Sequence, residues 1–362
     1  MQTVHYFVKP DDSELRLHVC RITPDAPPKF TVQIVHGIAE RIGRYLPLMR
    51  HIAECGGAVI IHDLRGHGSS VPDFSALGCM NCSNSDLLND IDAVYSTLNS
   101  PLADGETISP VLSDDNDGDD SGKYDVKPPR YLLGFSMGAL IAGLYAARSS
   151  EELAGLILAG LPHREPFVSF GILGLDILCL LCGKNSKLTG LNNSAFNRYN
   201  KYFEAEPESD GKFLWLSVDI ENRLRFERDP SCNRKSSTGT YRRLLMLLRD
   251  MYRPSSWNMD RTDLPIILLC GESDPVAGNE KWRRDSEKFL ADMGYNNITV
   301  TTYPLRHEIF MDRGRETPFR DVTDFISRTI DDDIRRQTAR RDEYCPQFDK
   351  GAENGNSPEN TD

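Results

Sequence analysis

The sequence lacks an apolar run long enough to cross a membrane. Its longest run, Phe167 to Cys182, is interrupted by Asp176, and it is shorter than the ~20 residues that a membrane-spanning helix needs. The opening MQTVHYFVKP also lacks the basic start and apolar stretch of an export signal. The nine cysteines are an odd number spread thinly along the chain, which is typical of reduced thiols. We therefore expect a cytoplasmic protein with no transmembrane segment.

A basic stripe that could bind nucleic acid is also missing. The net charge is −12, and most of the excess acid lies in two segments. Residues 101–122 hold seven acidic residues and no basic one, and residues 343–362 hold five acidic residues against Lys350. Because the rest of the chain is close to neutral, we expect no nucleic-acid partner. The polar, Gly- and Pro-rich composition predicts that residues 101–127 are a disordered insertion and residues 343–362 a disordered tail.

The cysteines do not have the spacing of a metal site. Two CxxC pairs occur, Cys79/Cys82 and Cys179/Cys182. Zinc modules usually bring two such pairs within ~15–20 residues of each other, whereas these pairs stand far apart and the second lies in the apolar run. We expect buried thiols and no metal.

Short apolar runs bounded by turn residues predict strands. Their apolar character is continuous rather than alternating, which is typical of a parallel sheet buried on both faces. Helix-like stretches separate the runs, and His5–Cys20 alternates like an antiparallel hairpin at a sheet edge. We predict an α/β fold, with a mostly parallel central sheet of about eight strands flanked by helices. The runs are Phe30–His36, Ala58–His62, Tyr131–Phe135, Leu153–Leu161, Pro265–Cys270 and Ile298–Tyr303.

One long segment interrupts this alternation. Residues 162–259 follow the sixth predicted strand, are mostly helical in pattern and hold 15 basic against 11 acidic residues. We interpret them as a helical cap inserted into a core made of residues 1–161 and 260–342.

A candidate nucleophile lies between a strand and a helix. Gly134-Phe135-Ser136-Met137-Gly138 follows the run Tyr131–Phe135 and opens a helix-like stretch. This is the context in which G-x-S-x-G forms a nucleophile elbow, a sharp turn that exposes the serine at the carboxyl edge of the sheet. We therefore predict Ser136 as the nucleophile.

A serine at neutral pH needs a base, which in turn needs an orienting acid. In this architecture the order along the chain is serine, acid, histidine. Asp274 and His307 each follow a predicted strand in that order, whereas His163 has no strand-end acid between it and Ser136. We predict Ser136, Asp274 and His307 as the catalytic residues, with Glu272 as the alternative acid.

Two backbone N–H groups are expected to form an oxyanion hole. One belongs to Met137, directly after the nucleophile, and the other to Ile38 in the loop after an earlier strand. We expect Gly37 to provide the unusual backbone angles of that loop. His36 and the segment Asp63–Ser69 are interpreted as structural supports.

Several segments together resemble one known family. VHGIAERIGRY, DLRGHGSS, GFSMGAL, GESDPV and RHEIF are similar to the α/β-hydrolases that include monoacylglycerol lipases and lysophospholipases, and the cap segments LNNSAFNRYNKYF, FLWLS and RDPSC agree. The resemblance implies hydrolysis of carboxylic esters of lipid-like substrates by Ser136, Asp274 and His307, without a cofactor.

The same resemblance suggests substrate-binding residues. In members that bind glycerol, a loop Glu and Arg and a histidine three residues after the catalytic one hold the head group. The corresponding residues here are Glu40, Arg44 and Phe310. We expect Phe310 to face the departing alcohol and to weaken any preference for glycerol esters; the alternative is that Phe310 packs inward and does not meet the substrate.

Other interpretations remain open at this stage. The same triad serves thioesterases and amidases, and the fold also occurs in non-catalytic binding or scaffold proteins. The apolar run Phe167 to Cys182 predicts either a wall for an acyl chain or peripheral contact of the cap with a membrane.

Overall fold

A computed structural model describes residues 1–10, 14–101, 104–108, 127–205, 212–258 and 261–344. In these residues one sheet has the strand order β5-β1-β2-β4-β3-β6-β7-β8-β9. β2 runs antiparallel to β1 and β4, and every other neighbouring pair is parallel. The strands are β1 Gln2–Val8, β2 Leu17–Thr23, β3 Phe30–Val35, β4 Gly57–His62, β5 Thr107–Ile108, β6 Arg130–Phe135, β7 Gly155–Ala159, β8 Ile266–Gly271 and β9 Ile298–Tyr303.

Helices cover both faces of the sheet, which is why the central strands are apolar throughout. Every residue of β3, β4, β6, β7 and β8 is buried. Helices α1 and α9 pack on one face, and α2, α3 and α8 pack on the other. The predicted α/β fold is therefore confirmed. The helices are α1 Leu46–Glu54, α2 Asn84–Tyr95, α3 Met137–Ser149, α4 Val168–Cys182, α5 Thr189–Asn200, α6 Ile220–Arg228, α7 Thr238–Met251, α8 Glu280–Asp292 and α9 Glu316–Tyr344.

Part of the acidic insertion, residues 101–127, was wrongly predicted to be disordered. Residues 104–108 are not disordered, because β5 adds to the sheet edge with Thr107 opposite Phe7. The amide of Phe7 donates to the carbonyl oxygen of Glu106 at 2.7 Å, and the amide of Gly105 donates to that of His5 at 2.7 Å. A short edge strand can form through backbone hydrogen bonds alone, so the polar residues of β5 gave no sign of a strand in the sequence. The rest of the predicted insertion, residues 109–126, lies outside the described residues, as do residues 345–362 of the predicted tail.

Helices α4 to α7 lie between β7 and β8 along the chain, within the segment predicted as a cap. We call residues 162–258 the cap. α4 packs on α7, and α7 packs on α3 of the core. Residues of α4, α5 and α7 line a cavity that also contains Ser136. In the part of the chain that the structure describes, the helices all lack the combination of length and hydrophobicity that a membrane-spanning helix requires.

Candidate active site

Ser136 occupies the turn between β6 and α3. Its φ of 55° and ψ of −119° are unusual for a residue with a side chain. Two glycines make this tight turn possible. A Cβ at Gly134 would overlap the carbonyl oxygen of Gly138, and a Cβ at Gly138 would overlap that of Val35. The G-x-S-x-G spacing is therefore required by close backbone approach on both sides of the serine.

The three residues predicted to be catalytic come together. His307 Nε2 lies 2.9 Å from Ser136 Oγ, and His307 Nδ1 lies 2.8 Å from Asp274 Oδ2. Asp274 is held by the amide of Val276, which donates to its Oδ1 at 2.8 Å. The alternative acid, Glu272, is exposed to solvent instead. Ser136, Asp274 and His307 follow the carboxyl ends of β6, β8 and β9, respectively, and these strand ends lie at one edge of the sheet.

The environment of His307 stabilises its protonated form. Burial by itself lowers the pKa of His307. The Asp274 carboxylate raises this pKa through its charge and its hydrogen bond. Glu308 and Glu40 add to this effect, so the pKa of His307 lies above its usual value. An imidazolium formed when His307 accepts the serine proton is stabilised in this setting.

The loop expected to supply an oxyanion donor is folded by Glu40. Its Oε2 accepts from the amide of Gly37 at 3.0 Å and from the Tyr45 hydroxyl at 2.7 Å. The positive φ of 58° in this loop belongs to Ala39, not to Gly37 as expected. Gly37 is needed for space, because a Cβ there would lie 2.8 Å from Glu40 Oε2, the atom that accepts from the Gly37 amide, and 3.2 Å from the Cβ of Ser136. Ile38 lines the cavity above Ser136.

The other candidate donor, Met137, is the first residue of α3. The first amides of a helix have no carbonyl partner within that helix. The Met137 amide is thus available at the position where an oxyanion donor is expected. His36 has the structural role predicted for it, since it bonds the carbonyl oxygen of Gly37 at 2.7 Å and accepts from the amide of Leu64 at 2.9 Å.

Glu40 and Arg44 are close to the site but are engaged with protein groups. Arg44 Nη1 donates to Glu40 Oε1 at 2.6 Å and to Glu308 Oε1 at 2.6 Å, and Nη2 donates to Glu308 Oε2 at 2.8 Å. Glu40 and Glu308 reach the cavity wall, whereas Arg44 is not among the lining residues. The structure therefore places Arg44 behind the wall.

The prediction that Phe310 binds substrate is wrong, because Phe310 packs inward, as in the alternative. Its side chain is 2% exposed and lies with its ring centroid 6.3 Å from those of Phe135 and Phe319. It belongs to the core cluster between the sheet, α1 and α9, and it does not line the cavity. Burial of an aromatic ring in that core is favourable, and the turn after His307 directs the side chain there.

A cavity of about 1090 Å³ lies next to Ser136 and His307, and residues of both the core and the cap line it. Ligand pockets commonly measure ~300–1,000 Å³, so this one is large. Helices of the cap and α3 of the core provide its aliphatic walls. The leucines that line it are Leu140, Leu175, Leu178, Leu191, Leu216, Leu244, Leu245 and Leu248.

Three residues near His307 were not found from the sequence. The Trp215 ring lies against His307, with centroids 5.3 Å apart. Glu308 is 1% exposed and accepts from Arg44 and Asn222. The only signal for Glu308 is a charged residue directly after the predicted base. Nothing local marks Trp215 or Asn222, two cap residues of which the first contacts His307 and the second Glu308.

Comparison with known proteins identifies the family. The family described as serine aminopeptidase, S33, matches residues 26–108 and 118–314. The chain belongs to this family. Over 310 residues it is 24% identical to "Monoacylglycerol lipase" of Mycolicibacterium smegmatis, covering 84% of this chain and 90% of that protein. Over 178 residues it is 27% identical to "Monoglyceride lipase" of Homo sapiens, covering 48% and 50%.

Solved structures agree on the fold. A thermostable carboxyl esterase from Bacillus coagulans, solved in complex with glycerol, superposes with a TM-score of 0.74 at 21% identity. The match covers 91% of this chain and 99% of that one. The α/β-hydrolase fold and the resemblance to monoacylglycerol lipases predicted from the sequence are thereby confirmed.

Among the described residues, no group of three or more His, Cys, Asp or Glu side chains could hold a metal ion.

Proposed function

We propose that this protein hydrolyses carboxylic esters of lipid-like substrates, with Ser136 as nucleophile, His307 as base and Asp274 as its orienting acid. The main support for the proposal is the pair of short contacts from His307, 2.9 Å to Ser136 Oγ and 2.8 Å to Asp274 Oδ2. Ser136 and His307 also line a large aliphatic cavity. Relatives named as monoacylglycerol lipases and a structural neighbour named as a carboxyl esterase support an ester hydrolase.

The first half-reaction forms an acyl-enzyme. His307 Nε2 takes the Ser136 hydroxyl proton while Oγ attacks the carbonyl carbon of the ester. The carbonyl oxygen becomes an oxyanion, which the amides of Ile38 and Met137 would stabilise. When the intermediate collapses, the ester C–O bond breaks and His307 donates its proton to the departing alcohol.

The second half-reaction releases the acid. His307 takes a proton from water, and the resulting hydroxide attacks the acyl carbon. The bond to Ser136 Oγ then breaks and His307 returns the proton to that oxygen. Asp274 holds the Nδ1 proton of His307 in both steps, so that Nε2 faces the reacting atoms.

The cavity supports an acyl chain as the main recognition element. Leucines from α4, α5 and α7 surround a volume of about 1090 Å³ next to Ser136. Transfer of a chain from water into such walls is favourable by ~0.8 kcal/mol for each CH₂ buried. Arg44, which was expected to hold a glycerol head group, does not donate hydrogen bonds into the cavity, because its guanidinium is paired with Glu40 and Glu308.

We also propose peripheral contact of the cap with a membrane, through the outer face of α4. Phe170 is 73% exposed, Leu180 86% and Leu181 74%, while Leu175 on the opposite face lines the cavity. Exposed Arg164 and Lys184 flank the helix and would favour an anionic surface. A helix that touches lipid outside and the cavity inside provides a short route for substrate.

Vesicle binding tests the membrane proposal. Phosphatidylcholine vesicles containing phosphatidylglycerol should sediment the wild-type protein, and Leu180→Lys with Leu181→Lys should reduce that binding. Ile334→Lys on α9 is the matched control, because Ile334 is an exposed apolar residue outside the cap. Equal binding of all three proteins would contradict the proposal.

A location in the cytoplasm is part of the proposal as well. Eight cysteines lie in the described residues and all have free thiols, which suits a reducing compartment.

Labelling with a fluorophosphonate, followed by hydrolysis of matched substrates, tests the function. The probe should modify Ser136, and activity on monoacylglycerols should rise with acyl length until the cavity is filled. Thioesters and amides of the same acyl group would reveal a thioesterase or an amidase if either were the better substrate. A protein that resists labelling at Ser136 would be a binding or scaffold protein, and the proposal would be wrong.

A further inference from the structure

Glu308 is a buried carboxylate that the mechanism above does not use. It follows His307 directly in the chain and is 1% exposed. Both of its oxygens are occupied, since Arg44 donates to Oε1 at 2.6 Å and to Oε2 at 2.8 Å, and Asn222 Nδ2 donates to Oε2 at 2.7 Å. A buried carboxylate with three hydrogen bonds to fixed partners holds a defined orientation.

The partners of Glu308 come from different parts of the molecule. Arg44 also donates to Glu40, and Glu40 holds the amide of Gly37 in the candidate oxyanion loop. A continuous chain of polar contacts thus runs from that loop to the residue beside His307. Asn222 belongs to α6 of the cap, and the Glu308 amide donates to the carbonyl oxygen of Leu216, also in the cap, at 2.8 Å.

We propose that Glu308 is a positioning residue, which fixes the His307 loop relative to the oxyanion loop and the cap through Arg44 and Asn222. The inference rests on the proposed function, because it assigns Glu308 a role in the same reaction. A second consequence concerns the substrate. Because Glu308 and Glu40 take the terminal nitrogens of Arg44, the alcohol part of the ester is held by the apolar wall rather than by this arginine.

Electrostatics distinguish this role from simple structural support. The charged groups around His307 are the carboxylates Asp274, Glu308 and Glu40, with Arg44 behind the last two and Arg306 beside them. The Arg306 guanidinium is directed to the cap, where it donates to the carbonyl oxygens of Leu214 and Ser217. Glu308 contributes to the raised pKa of His307, so its neutralisation would lower that pKa.

Glu308→Gln and Glu272→Gln form a matched pair for the test. Both remove a carboxylate from the carboxyl edge of the sheet, but Glu272 is exposed and does not join the network. Displacement of a catalytic group by about 1 Å costs up to ~100-fold in rate. We expect Glu308→Gln to lower kcat on an aryl ester by roughly ten- to a hundredfold with little change in KM.

The pH profile is the readout that a merely structural role would not change. In Glu308→Gln the acid limb of kcat/KM should move to lower pH, while Glu308→Asp, which keeps the charge, should restore its position. Glu272→Gln should match the wild type in both rate and profile. Wild-type kcat together with a wild-type acid limb in Glu308→Gln would overturn the inference.

Two further measurements keep the inference testable in every case. If Glu308→Gln does not fold, Arg44→Lys keeps the charge but loses the paired contacts. That variant should lower kcat and leave the acid limb unchanged, and wild-type kcat would contradict the inference. NMR titration of the His307 ring needs no substrate. Absence of labelling of wild-type Ser136 would overturn the proposed function, whereas an unchanged His307 pKa together with wild-type kcat in Glu308→Gln would overturn the role of Glu308.

Discussion

Trp215, a cap residue, lies directly against His307 of the core. The ring centroids are 5.3 Å apart, and the carbonyl oxygen of Trp215 accepts from the His307 amide at 3.4 Å. Arg306, one residue earlier, donates to the carbonyl oxygens of Leu214 and Ser217 on either side of this tryptophan. The cap segment around Trp215 is therefore part of the structure that holds the candidate base. Movement of this segment would change the geometry of His307.

Substitution of the triad should remove activity without unfolding the protein. Ser136→Ala and His307→Ala should each lower kcat by roughly 10⁴-fold or more, and the double variant should be no worse, because the two residues act as one unit. Asp274→Asn should have a comparable or milder effect through the wrong imidazole tautomer. Initial rates on an aryl ester, with the melting temperature as a control for folding, check this. Wild-type turnover in Ser136→Ala would show that the nucleophile is another residue.

Activity should fall as the pH drops through the raised pKa of His307. Only neutral His307 can accept the serine proton, so the acid limb of kcat/KM should have its midpoint above the ordinary histidine value of 6.5. In Asp274→Asn the residual activity should show this limb at lower pH, because the carboxylate that raises the pKa most is gone. A midpoint below 6.5 in the wild type would contradict the electrostatic description of the site.

Stability should decrease on mild acidification because of two buried histidines. Burial, with a contribution from His36, lowers the pKa of His62 to about 3 and that of His67 to about 4. Both groups titrate near 6.5 when the chain is unfolded, so the unfolded state binds these protons first. Their contribution is complete above 6.5 and is lost as the pH falls towards 4.

The melting temperature measured across this interval provides the test. His62→Leu should flatten the dependence, since neither ring nitrogen of His62 has a hydrogen-bond partner among the described residues. His51→Gln, at a half-buried position on α1, is the control and should leave the dependence as in the wild type. Equal slopes for His62→Leu and the wild type would exclude His62 as a source.

Phe310→His should affect stability rather than substrate choice. The side chain lies in the core between Phe135 and Phe319, so a smaller, polar ring should cost about 3 kcal/mol or more in the free energy of unfolding. The ratio of kcat/KM for a monoacylglycerol and the methyl ester of the same acid should stay unchanged. A large shift of that ratio towards the glycerol ester would show that Phe310 does reach the substrate.

Two deletions should separate the short edge strand from the rest of the acidic insertion. Replacement of residues 109–126 by a Gly/Ser linker should preserve activity and melting temperature, because loop length changes closure entropy only by ~0.6 kcal/mol per doubling. Replacement of residues 104–126 also removes β5 and its bonds to β1, so the melting temperature should fall. Identical melting temperatures for the two deletions would mean that β5 adds no stability.

Local patterns in the sequence were enough to predict the three side chains of the site that follow the ends of strands. Continuous apolar runs indicated buried parallel strands, and parallel strands place their carboxyl ends at one edge of a sheet. Ser136, Asp274 and His307 each follow such a strand, so their order along the chain was enough to predict that they meet. The glycines around Ser136 marked the tight turn because no other residue fits there.

The sequence by itself therefore determined the sheet, the elbow and the order of the three side chains, whereas tertiary structure decided what surrounds them. Phe310 turned into the core, Arg44 paired with Glu308, and Trp215 reached His307 from the cap. Each of these contacts depends on side-chain direction in a loop or on segments far apart in the chain. Strand and helix periodicity carries no information on either, because packing selects the orientation only when the distant segments have come together.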